Sequence, residues 1–209
     1  MKRKAIDDLI IWKDNNNAQR NKPLFVTGTK GVGKTFLVYD FANAFFARHL
    51  YINIEKDLRM RELLNSGDYD RINNELSMCT PTQIAKDDID ECVNNDDIVF
   101  IFDEISYLQD IASTFDILQE LQNKSELSPY IILISSKPVS CDVINRAHAI
   151  SLYPLTFDEF LMATANEWYI ELIRTHYENS KPLPQIVHNE LLFLYRLYLQ
   201  IGGMPSAIN

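Results

Sequence analysis

Residues 28–35 read Gly-Thr-Lys-Gly-Val-Gly-Lys-Thr, the G-x-x-x-x-G-K-[ST] spacing of a phosphate-binding loop. This spacing restricts the fold, because such a loop works only between a buried strand and the N-terminus of a helix. Leu24-Phe25-Val26-Thr27 supplies the short apolar run, entered through Pro23, and residues 36–46 carry apolar side chains at helical intervals. The glycines let the backbone curl so that amides point inward, and the helix adds a partial positive charge. Gly28, Thr29, Lys30, Gly31, Val32, Gly33, Lys34, Thr35 and Phe36 are therefore expected to wrap the phosphates of a nucleotide. Lys34 is expected on the β- and γ-phosphates, with catalytic weight, and the Thr35 hydroxyl on Mg²⁺.

The second constraint is Ile98-Val99-Phe100-Ile101-Phe102, five apolar residues without alternation. Such a run belongs in a central parallel strand buried on both faces. It ends in Asp103 and Glu104, at the strand end where parallel sheets collect ligands. Asp103 is expected to hold Mg²⁺, and Glu104 to polarise a water in line with the γ-phosphate. Tyr130–Ile134 is a similar run ending in Ser135 and Ser136. A serine there either touches the γ-phosphate or orients the water, or it caps the strand; of the two, Ser135 is the nucleotide-binding candidate. Arg146 precedes the run Ala149–Tyr153. It is either a surface arginine or a guanidinium that neutralises γ-phosphate charge, from its own or a neighbouring subunit.

With Leu50–Ile54 there are five strands alternating with helices, which predicts an α/β three-layer sandwich around a mostly parallel sheet. Helices are expected over Ala5–Asp14, with Trp12 in the core rather than over a nucleotide base, over Leu58–Asn65 and Tyr69–Met78, from Thr80, and, after a loop, within 105–122. After Pro154 only helices follow. Thr156 and Glu159 stand at capping-box spacing, and 187–201 is apolar almost all round, which predicts packing on both sides. The divisions read as an N-terminal helix and linker (1–22), a phosphate-loop core (23–154) and a helical lid (155–209) that stops abruptly, as in a piece of a longer protein.

Net charge is −9 over 209 residues, with no basic excess to indicate nucleic acid as the dedicated partner. No apolar run approaches the ~20 residues of a membrane span. Cys79, Cys92 and Cys141 are odd in number and widely spaced, which suits buried or partly buried thiols in a reducing, cytoplasmic compartment. The four histidines lack metal-binding spacing, and no Ser/His/Asp or Cys/His constellation is present.

Four patches together resemble a known family. They are Arg3 through Trp12; Lys22-Pro23-Leu24 with the loop after it; Phe100-Ile101-Phe102-Asp103-Glu104-Ile105; and Arg146 followed by Leu152-Tyr153-Pro154-Leu155-Thr156-Phe157-Asp158-Glu159-Phe160. Gly202-Gly203-Met204-Pro205 adds a glycine–proline stretch at the end of the lid. The pattern is similar to the predicted AAA-type ATPases of bacteria and archaea, in which a P-loop domain precedes a C-terminal domain for which a nuclease-like function is suggested. The resemblance implies an additional-strand sheet, with one strand between the phosphate-loop strand and the carboxylate strand. It also implies ATP as ligand, Arg146 as a γ-phosphate or sensor arginine, and a lid closing over the nucleotide. Lys30 and Gly31 stand where the family carries arginine and glutamine, so any task of that arginine is not carried over. The expected function is a Mg²⁺-dependent ATPase switch, slow in isolation, acting on a missing C-terminal domain or a protein partner, with oligomerisation open. The alternative is a nucleotide-gated binding module with little turnover. A small-molecule kinase fits less well, because no arginine-rich lid follows the fourth strand.

Overall fold

Unbroken apolar runs become the middle of the sheet. In the computed structural model, which describes residues 3–18, 22–79, 97–125 and 127–207, Ile98–Asp103 forms β3 and Tyr130–Ser135 forms β4, and every residue of both is buried. Alternate side chains of a strand point to opposite faces, so each run feeds two cores at once. Phe100, Phe102, Ile131 and Leu133 join Phe115, Leu118 and Leu121 on one face. Val99, Ile101, Ile132 and Ile134 join Trp12, Leu37 and Phe41 on the other. The helix expected from Thr80, and Cys92, lie outside the described residues.

The strands β1 (Leu24–Thr27), β2 (Arg48–Asn53) and β5 (His148–Ser151) complete a parallel five-stranded sheet in the order β2-β3-β4-β1-β5. β4 thus lies between the strand that enters the phosphate loop and the strand that ends in carboxylates. Thr27 pairs with Ser135, and Phe102 with Leu133, so the C-terminal ends of β1, β4 and β3 form one edge. α1 (Ala5–Ala18) and α2 (Lys34–Phe45) cover one face of the sheet. α3 (Leu58–Asn65), α4 (Tyr69–Cys79), α5 (Ile111–Lys124) and α6 (Cys141–Arg146) cover the other.

Trp12 is core, as expected. Its ring meets Tyr130 edge-on at 5.8 Å and Phe41 at 6.4 Å, and its indole N–H donates to the Lys22 carbonyl at 3.1 Å. α1 runs on to Ala18 instead of stopping at Asp14, since asparagine is only mildly unfavourable inside a helix. The free thiols of Cys79 and Cys141 are exposed, against the expectation of burial.

α7 (Phe157–Ala163), α8 (Trp168–Glu178) and α9 (Gln185–Ile201) share a core of Phe160, Leu161, Tyr169 and Leu191. The capping box of Thr156 and Glu159 is formed. Glu159 is buried, and it also accepts the Lys4 amide at 3.0 Å and pairs with Arg3 at 3.7 Å. Arg3 in turn donates to the Tyr153 carbonyl at 2.6 Å. The segment before α1 is thereby stitched to the start of α7. α9 departs from its two-sided expectation: Leu191 is buried, whereas Ile186, Phe193 and Leu199 are exposed, because α7 and α8 lie on one side of it.

Past α9 the chain doubles back. The Leu155 amide donates to the Gly203 carbonyl at 2.7 Å. Gly203 has φ +68°, and a Cβ there would stand 2.6 Å from the Leu155 carbonyl oxygen, so only glycine fits. This turn carries Met204, Pro205 and Ser206 onto the phosphate loop, where Met204 Cε and Ser206 Oγ come within 3.3 and 3.4 Å of the position a Cβ on Gly31 would take.

Candidate functional site

Leaving β1, the chain turns at Gly28 with φ +150°, and a Cβ there would lie 2.4 Å from the Leu152 carbonyl oxygen. Glycine alone lets the loop press this closely on the segment after β5. Gly33 closes the loop as the N-cap of α2. The Val32 side chain is fully buried and anchors the loop from beneath.

Lys34 has three N–H donors, and all three find acceptors: the carbonyls of Gly28 (2.8 Å) and Thr29 (3.0 Å) and the Ser136 hydroxyl (2.8 Å). Burial lowers its pKa below the ordinary lysine value. Glu104 and Asp103 pull it back up, and Lys30 pushes it down.

The Thr35 hydroxyl donates to Asp103 Oδ2 at 2.7 Å, and the Tyr51 phenol donates to the same oxygen at 2.7 Å. The Glu104 amide donates to Asp103 Oδ1 at 2.8 Å. Burial, and then the bond to Asp103, raise the Tyr51 pKa to about 12, so the phenol keeps its proton. Asp103 and Thr35 thus place hard oxygen donors side by side. Among the described residues no group of three or more His, Cys, Asp or Glu side chains converges as a metal site. A divalent ion beside Thr35 and Asp103 would have to complete its shell with phosphate oxygens and water, which is how Mg²⁺ is commonly bound. The donor set fits that ion.

Glu104 adopts a left-handed backbone (φ 56°, ψ 46°). This conformation costs a non-glycine residue about 1–3 kcal/mol and is typical of functional sites. Its carboxylate accepts a short bond from the Ser136 hydroxyl and a longer one, 3.3 Å, from the Ser136 amide. Ser136 therefore links Lys34 to Glu104.

These groups border a cleft of about 820 Å³. Its floor is Lys30, Gly31, Gly33, Lys34, Thr35 and Phe36; one wall is Tyr51, Asn53, Glu55 and Lys56; the other is Asp103, Glu104 and Ser136; Met162, Ala163, Pro205 and Ser206 complete the lining. Thr29 and Gly28 contribute through their carbonyls to Lys34.

Two expected residues are elsewhere. Ser135 is fully buried, and its hydroxyl donates to the Lys137 carbonyl at 2.8 Å and accepts the Lys137 amide at 3.2 Å. It caps the strand end, and its neighbour Ser136 faces the cleft. Arg146 ends α6 just before β5, whose first residue, His148, is in register with Leu24 at the start of β1. In a parallel sheet that is the edge opposite the loop. Arg146 pairs there with Asp116 and lies 4.9 Å over the Phe115 ring. Within one chain it is not part of the cleft.

Tyr51 is the residue that motif reading passes over, and Ser136, named beside Ser135, is the serine it did not choose. Tyr51 sits in an apolar run that reads as core, and only the pairing of β2 with β3 shows that it abuts Asp103. Ser136 was distinguishable from Ser135 only by which way the strand end turns.

The search of curated proteins returned no match. Among solved structures the chain is similar to PCH-2 of C. elegans (14% identity, TM-score 0.46, 82% of this chain and 45% of that one). It is also similar to AMPPCP-bound DnaA of Aquifex aeolicus (16%, 0.48, 95% and 57%) and to a Walker-type ATPase of Pyrococcus abyssi (15%, 0.48, 94% and 63%). The chain spans roughly half the length of these proteins. A family model described as AAA domain matches residues 20–161. That stretch holds the phosphate loop, all five strands and the carboxylate pair that ends β3. The chain therefore belongs to the AAA family of P-loop ATPases.

Proposed function

We infer that the chain binds ATP with Mg²⁺ in this cleft and hydrolyses it slowly, as a cytoplasmic switch that couples nucleotide state to a downstream domain or protein partner. One observation carries the reading: the Thr35 hydroxyl, at the start of α2, and the Asp103 carboxylate, at the end of β3, meet at 2.7 Å beside Lys34. Two sequence motifs 68 residues apart converge on one point.

Each group has a task. Loop amides and the α2 N-terminus hold phosphate oxygens. Lys34 exchanges neutral acceptors for the β- and γ-phosphates. Thr35 and Asp103 would hold Mg²⁺, which would supply charge neutralisation at the phosphates. Glu104, released from Ser136, accepts a proton from the attacking water. Ser136 then has its hydroxyl free for the γ-phosphate or that water. Met162, Ala163, Pro205 and Ser206 bring the helical region into contact with the nucleotide, so its state reaches α7–α9. Arg146, remote in its own chain, acts on the nucleotide of a neighbouring copy, so a lone chain is expected to turn over slowly.

Phosphate release by wild type and Glu104→Gln tests this. Loss of a general base is expected to reduce release by about 10²- to 10⁴-fold, while nucleotide binding persists. Equal release from both removes Glu104 from the mechanism. One observation favours the second reading, a nucleotide-gated binding module: both Ser136 contacts tether Glu104 in the resting chain. On that reading wild type binds ATP and releases no more phosphate than Glu104→Gln.

A further inference from the structure

The hydrogen bonds around Asp103 run in one direction. The Lys56 amide donates to Asn53 Oδ1 at 3.1 Å, which orients the Asn53 side chain so that its NH₂ faces Tyr51. Asn53 Nδ2 lies 3.4 Å from the Tyr51 oxygen, and the Tyr51 hydroxyl donates to Asp103 Oδ2 at 2.7 Å. An ionised carboxylate only accepts, so the polarity of the chain is set at both ends. Each donor polarises the next.

The geometry carries more than packing requires. The Tyr51 ring is supported by the edge of Tyr39, with centroids 6.3 Å apart, and a phenylalanine would fill that space equally well. The hydroxyl is the part that packing leaves unexplained. It reaches the same carboxylate oxygen as the Thr35 hydroxyl. Thr35, at the start of α2, is itself one of the residues that would hold the cation. Tyr51 belongs to β2, whose Asn53 is paired in register with Asp103 itself. One donor would be shared with the cation, and the other would not.

We propose that Tyr51, aligned by Asn53, is a positioning residue that holds the Asp103 carboxylate in its metal-binding orientation whether or not Thr35 is shared with the cation. The proposal rests on the reading of the cleft as a Mg²⁺–nucleotide site. Partners that orient a metal-holding carboxylate matter to metal affinity even though they never touch the ion.

The test measures binding of a fluorescent non-hydrolysable ATP analogue to the full chain, with Mg²⁺ titrated and with EDTA present. Tyr51→Phe is expected to raise the Mg²⁺ concentration for half-saturation about tenfold, and to change binding in EDTA by less than about twofold. Tyr39→Phe, which removes a hydroxyl from the supporting ring, is expected to match wild type in both. Asn53→Ala shifts the Mg²⁺ dependence in the same direction by less, and keeps the test open if Tyr51→Phe melts early. A Tyr51→Phe chain with wild-type Mg²⁺ dependence overturns the proposal, as does equal weakening with and without Mg²⁺. If wild type itself binds the analogue no better with Mg²⁺ than with EDTA, the reading of the site fails instead.

Discussion

Replacing Lys34 by methionine separates what the lysine does for the ligand from what it costs the fold. Methionine keeps the length of the stem and removes the ammonium. In the resting chain all three donors already have acceptors, so a nucleotide gains from Lys34 only the difference between neutral oxygens and phosphate. A hydrogen bond to a charged group contributes about 1.5–3 kcal/mol. Losing one such bond weakens nucleotide binding about 10- to 150-fold. Stability has its own response. Burial is the largest influence on Lys34 and lowers its pKa, so the charged form is held at a cost in the folded chain. Lys34→Met removes that cost together with the three hydrogen bonds, so the informative comparison is how the two melts depend on pH. The sign of the pH dependence follows. The unfolded chain binds this proton more tightly than the folded chain, so wild type gains stability as pH rises from the folded pKa toward the ordinary value of 10.5. Methionine has no such gain, and the difference, wild type minus variant, should climb through the alkaline range. Equilibrium binding of a fluorescent ATP analogue and thermal melts at several pH values measure both arms. Binding by Lys34→Met within about threefold of wild type, less than half a decade where at least one is expected, would refute the placement of phosphate at this lysine.

Adjacent serines should behave differently. Ser136→Ala cuts the link between Lys34 and Glu104 and is expected to lower phosphate release about tenfold with little change in melting. Ser135→Ala loses a strand-end cap worth about 0.5–1.5 kcal/mol and leaves release unchanged; denaturant melts beside the release assay separate them. Arg146→Ala removes an exposed ion pair worth about 0–1 kcal/mol. Wild-type release per chain should rise with protein concentration, and that rise should vanish in the variant; release independent of concentration in wild type would rule out action on a neighbouring copy.

Much of this site was legible in one dimension because its determinants are local. The spacing of Gly28, Gly33, Lys34 and Thr35 sets a loop that the backbone itself forms. The unbroken runs ending at Asp103 and Ser135 can be buried on both faces only in the interior of a sheet, so their central placement followed from composition. The capping box of Thr156 and Glu159 is likewise a contact between residues three apart.

Tertiary structure decided what depends on strand order and on the direction of a turn. Glu159 is also the partner of Arg3, a contact across 156 residues that no local pattern contains. Arg146 precedes a strand, and only the parallel register of β5 with β1 puts it at the edge away from the loop. Tyr51 became a partner of Asp103 because β2 pairs with β3, and Ser136 replaced Ser135 because the chain turns after β4. Local sequence sets which backbone shapes are cheap; which side chains then meet is set by the packing of elements far apart in the chain.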